Sequence, residues 1–89
     1  MIAITESPKF IRAYKKNIKN NPKLRDRYRE KVGLFIKNPF DSSLQTHKLS
    51  GILKNSWAFS ITSDLRIVFS FLNADVVLFE DFGTHNEVY

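Results

Sequence analysis

The sequence predicts an α+β fold in the order β-α-α-β-β-β, a helical hairpin packed on a mainly antiparallel four-stranded sheet. Three observations lead there. Ser7-Pro8 and Asn21-Pro22 each place a capping side chain before a proline, the signature of a helix start. Behind each pair, apolar residues recur at helical spacing. The second half holds three β-rich runs separated by turns too short for any crossover.

Taken in order, residues 2–5 read as a short first strand. Phe10, Tyr14 and Ile18 form the buried stripe of the first helix, with Lys9, Arg12, Lys15, Lys16 and Lys19 covering the rest. The second helix carries Leu24, Tyr28, Val32, Phe35 and Ile36, and Asn38-Pro39 stops it, because the residue before a proline is driven out of the helical region. With so short a connection, the two helices must be antiparallel. Residues 39–51 read as a polar loop. Trp57, Phe59 and Ile61 alternate with small or polar residues, as in a half-buried strand. Residues 65–71 and 76–82, set off by Thr62-Ser63-Asp64 and Asn73-Ala74-Asp75, complete a meander.

The 89 residues form a single domain, 1–89, with no internal repeat or linker. Without cysteine, the chain has neither disulfides nor a thiolate metal site, which fits a reducing cytoplasm. No apolar run approaches the ~20 residues that cross a bilayer, and the N-terminus lacks a signal-peptide layout, so a soluble cytoplasmic protein is expected. Charge is unevenly spread. Residues 1–38 hold eleven Lys/Arg against three Asp/Glu, whereas residues 39–89 hold three against six. A basic half of that density attracts nucleic acid or an acidic partner; a merely solvating helical face is the competing reading.

The two histidines and scattered carboxylates show no metal-ligand spacing, and the three single glycines make no phosphate loop. No cofactor is implied. What remains is metal-free acid–base chemistry on a phosphodiester. RNA carries its own nucleophile, the 2′-hydroxyl, so an enzyme cleaving it needs a base, an acid for the 5′-oxygen and cations at the phosphate. His85, delivered by an apolar strand through Gly83, is one proton-transfer group; His47 or Asp64 is the other. Arg66 offers a planar donor fork to a phosphate, and Tyr89 a ring to stack on a base or a hydroxyl to bond the phosphate. The plainer alternatives are a surface His47, an Asp64 that caps a turn, a frayed Tyr89, and an Arg66 paired with Asp64, Asp81 or Glu87.

The segment His47-Lys48-Leu49-Ser50-Gly51, the run from Ser60 to Phe69 and the ending Gly83-Thr84-His85-Asn86-Glu87-Val88-Tyr89, set in this element order, resemble the RelE/ParE toxin superfamily. Among its members the YafQ-like branch of ribosome-dependent mRNA endonucleases is the nearest in pattern. That resemblance implies a toxin of a type II toxin–antitoxin module that cuts mRNA in the ribosomal A site, without metal, and is neutralised by a partner antitoxin. It implies catalytic roles for His85, His47 and Asp64. It also implies phosphate or RNA contacts for Arg66 and Tyr89, with Lys48 and Lys54 as further RNA-binding cations. Two departures stand out: Ser60 lies where that branch has another histidine, and Asp81 where it has a basic residue. Both predict weaker charge stabilisation at the phosphate. The alternative implied by the same fold is a ParE-like inhibitor of DNA gyrase, or a homologue that only binds its antitoxin.

Overall fold

The computed structural model describes residues 1–51 and 55–88. Strand β1 (Ala3–Glu6) leads into helices α1 (Pro8–Ile18) and α2 (Pro22–Lys37). A short 3-10 turn (Ser42–Leu44) precedes β2 (His47–Lys48), β3 (Trp57–Ser60), β4 (Leu65–Phe71), β5 (Val76–Thr84) and a final helical turn, α3 (His85–Val88).

Both helix starts follow from their caps. Ser7 Oγ accepts from the Phe10 amide at 3.0 Å, and Asn21 Oδ1 from the Leu24 amide at 3.1 Å, each satisfying a donor that the helix cannot. Proline occupies the first turn in both, where its missing N–H costs nothing. Asn38 ends α2 in an extended conformation, as the following proline demands.

The sheet has five strands in the order β1-β5-β4-β3-β2. Four were expected; the additional one is β2, whose His47 and Lys48 pair antiparallel with Ala58 and Trp57. Two residues carry no periodicity, so composition gives no trace of such a strand. The last strand lies between the first and the fourth: β1 runs parallel to β5, and β4 antiparallel to it. Main-chain bonds from Ala3 to Asp75 (2.8 Å) and from Ser7 to Phe79 (3.0 Å) extend the β1–β5 ladder beyond its ends. Between Val68 and Phe69 the β4–β5 register slips, leaving Glu80 as the extra residue of a bulge.

The helices cover one face of the sheet. Phe35 of α2 is stacked on Phe59 (4.5 Å between centroids, 18°) and meets Phe69 and Phe79 edge-on at 4.9 and 5.5 Å. Phe10 of α1 packs on Phe79 at 5.2 Å, and all five rings are fully buried. Side chains alternate along a strand, so Ala58, Ser60, Arg66, Val68 and Ser70 face the other way. Among the described residues no helix is long and apolar enough to cross a membrane.

Truncating Phe35 to Ala removes contacts to three strands at once, and we expect a loss of about 3–5 kcal/mol in a denaturant titration. The Tyr28 ring lies edge-on to Tyr14 at 5.0 Å and 6.0 Å from Phe82. Burial, reinforced by Glu6 and Tyr14, pushes its phenol above the usual tyrosine range. The fold accommodates the neutral form, so the unfolded chain ionises first. This contribution to stability is intact below about pH 10 and lost as pH rises beyond it. Tyr28→Phe should flatten the alkaline decline in Tm followed by circular dichroism.

Candidate active site

The site is built where β4 begins and β5 finishes. Leu65 pairs with Thr84, and Arg66 with both Ser60 and Gly83, so the start of β4, the end of β5 and the start of α3 meet at one end of the sheet. Thr62 holds the turn into β4: its Oγ1 accepts from the Asp64 and Leu65 amides at 3.3 and 3.1 Å. Ser63, Asp64, Arg66, Thr84, His85 and Asn86 line a shallow cleft of ≈ 360 Å³ at this junction. Asp64 and His85 are exposed and Arg66 half-buried. Three of the residues expected to carry chemistry, Asp64, Arg66 and His85, therefore share one solvent-open cleft.

The remaining expected residues are placed otherwise. His47 lies opposite Ala58 on β2, at the far edge of the sheet. Three strand spacings, about 14 Å, separate its backbone from β5. Its Nδ1 lies 3.1 Å from the Gln45 carbonyl oxygen. Directly opposed residues point to the same side, so His47 and Arg66 both belong to the face that the helices leave uncovered, with Ser60 between them. Lys48 is exposed beside His47. Lys54 and Tyr89 fall outside the described residues.

Asp81 does not face the cleft as a bare negative charge. Its Oδ2 lies 3.2 Å from Lys9 Nζ on α1, and its Oδ1 accepts from the Phe82 amide at 2.8 Å. The carboxylate is only 14% exposed, so Lys9 neutralises it on the helical side. Glu87 is engaged by Lys16, at 3.4 Å. Neither carboxylate serves as the partner of Arg66 that cross-strand pairing had offered.

A second surface extends the cleft. Asn21, Lys23, Leu24 and Arg27 of the α2 start line a groove of ≈ 560 Å³ with Thr62 and Ser63. Ser63 lines both, so the basic start of α2 adjoins the cleft of Arg66 and His85 at that turn. Among the described residues no three His, Asp or Glu side chains are grouped to hold a metal ion.

No protein-family model and no curated protein sequence matches the chain. Solved structures do. YafQ from E. coli superposes with a TM-score of 0.81 over 100% of this chain and 99% of its own, at 20% identity. A metal-bound toxin from Helicobacter pylori gives 0.77 at 26% identity, with both chains covered completely. YoeB in the YoeB-YefM complex from Staphylococcus aureus gives 0.76 at 21% identity, over 96% of this chain and 98% of its own. Two helices on one face of a mixed sheet, with β5 between β1 and β4, thus constitute the RelE-like toxin fold, and YafQ is among the structures that share it.

Proposed function

We propose that this chain is the toxin of a toxin–antitoxin module and cleaves mRNA on the ribosome by metal-free attack of the 2′-hydroxyl. The observation that carries the reading is the single open cleft containing Arg66, Asp64 and His85. Arg66 supplies a bidentate donor fork to the scissile phosphate and to the charge that builds on it. Asp64 accepts the proton of the 2′-hydroxyl as its oxygen bonds to phosphorus. His85 gives a proton to the departing 5′-oxygen, leaving a 2′,3′-cyclic phosphate and a free 5′-hydroxyl. His47, on the same uncovered side but across the sheet, contacts the RNA beyond the reacting phosphate, and Lys48 beside it adds a cation at that edge. Lys23 and Arg27 continue the basic path along α2.

The ribosome enters this reading as the scaffold that holds mRNA against so shallow a cleft, and the basic first half as its electrostatic anchor. The structural neighbours include toxins solved with antitoxins, DinJ with YafQ and YefM with YoeB, and an antitoxin is the partner expected to silence this chain.

Induced expression of the wild type in bacteria should arrest growth and create new mRNA 5′ ends, mapped by primer extension. His85→Ala should abolish both, since losing a positioned acid lowers the rate by about 10²–10⁴. Arrest without cleavage, or cleavage that survives His85→Ala, contradicts the reading. In solution, titration with inorganic phosphate should shift the His85 ring resonances more than those of His47. Arg66→Ala should remove that difference, and equal shifts of both histidines would deny the cleft a phosphate site.

A further inference from the structure

The sequence Thr84-His85-Asn86-Glu87 has the spacing of a capping box, in which a threonine at a helix start and an acid three residues on bond each other's backbone ends. Half of that box is formed: Glu87 Oε1 accepts from the Thr84 amide at 2.9 Å. The other carboxylate oxygen reaches Lys16 Nζ on α1 at 3.4 Å. Beneath them lies Gly83, which is buried. A Cβ there would come within 3.0 Å of Glu87 Oε1, 3.2 Å of Glu87 Cβ and 3.4 Å of Val88 Cγ1. The bare glycine is what lets the Glu87 side chain fold down over the end of β5.

A one-turn helix has no stability of its own. Without tethers, α3 would sample many orientations, and the two cleft residues it carries, His85 and Asn86, would move with it. We propose that Glu87 is the positioning residue of the cleft: capped onto Thr84, ion-paired to Lys16 and seated on Gly83, it fixes the helical turn that presents His85. Its carboxyl is held below the usual glutamate range, chiefly by hydrogen bonding from Thr84 and then by Lys16. Glu87 does not line the cleft. Its role in activity rests on the RNA-cleavage reading, whereas its hold on α3 does not.

The two levels separate experimentally. In Glu87→Ala, amide exchange at Thr84 should accelerate by about tenfold, as expected for loss of one cap, while global Tm falls by about 4–8 °C, the shift that a loss of that size produces in a domain of this length. On ribosomes programmed with mRNA, the same variant should lower kcat on the order of tenfold with KM within about twofold, because misplacement of a reacting group acts on the chemical step. Glu87→Gln, which retains the capping acceptor, should recover most of both losses. Gly83→Ala should move both readouts in the same direction as Glu87→Ala, by a smaller amount, by pushing the Glu87 side chain up from beneath. Unchanged Thr84 exchange in Glu87→Ala would overturn the tether. Faster exchange with unaltered kcat would overturn the positioning role. A wild type that cuts no RNA would defeat the nuclease reading alone, leaving the Thr84 exchange data to decide whether Glu87 holds α3.

Discussion

The insertion of β5 between β1 and β4 is the constraint on which the rest of the molecule depends. β1 and β5 are paired over residues more than seventy positions apart, Ala3 with Val76 through Glu6 with Phe79. Such a ladder orders nearly the whole chain in one closure, at a cost in chain entropy that only burial can offset. Phe79 supplies that burial, touching Phe10, Phe35 and Phe59, so both helices and a distant strand converge on the middle of β5. The N-terminal helices therefore determine where the C-terminal strand ends, and through it where His85 stands.

From this follows the division of labour between the two faces. The helical side is aromatic and closed, and its charges are used locally: Lys9 with Asp81, Lys16 with Glu87. The opposite side carries Ser60, Arg66, Val68 and Ser70 and stays without a covering helix. Glu80, released from pairing by the bulge, accepts there from Ser56 Oγ at 2.8 Å, which ties β5 to the start of β3 across β4. Asp81, the carboxylate that threatened to weaken a phosphate site, is drawn away by Lys9. What reaches the cleft is a cation, a carboxylate and an imidazole, the minimum set for moving protons around a phosphodiester. Ser60 in place of a larger side chain leaves the surface between His47 and Arg66 open rather than charged.

Much of this was legible in the sequence because its local rules are strong. Ser7-Pro8, Asn21-Pro22 and Asn38-Pro39 mark the helix limits to within a residue, and the alternation through Trp57, Phe59 and Ile61 assigns faces correctly. Arg66 and His85 lie together because the β4–β5 register pairs Arg66 with Gly83, two residues before His85. The parts that escaped are those without a local code. A two-residue strand has no period, a bulge at Glu80 has no turn residue, and the Lys9–Asp81 pair joins positions far apart in sequence. The α3 turn is different: Thr84 to Glu87 has capping-box spacing, a local code for a helix start at His85.

The central claim is that RNA supplies its own nucleophile to a cleft that supplies only protons and charge. It is tested most directly with ribosomes programmed by an mRNA carrying a single 2′-deoxynucleotide just upstream of the cut. We expect wild-type protein to cleave the all-ribose message to a 2′,3′-cyclic phosphate, and to leave the substituted bond intact while neighbouring ribose positions remain sensitive. Cleavage of the substituted bond at an undiminished rate would contradict that claim, because water or a protein side chain would then be the attacking group.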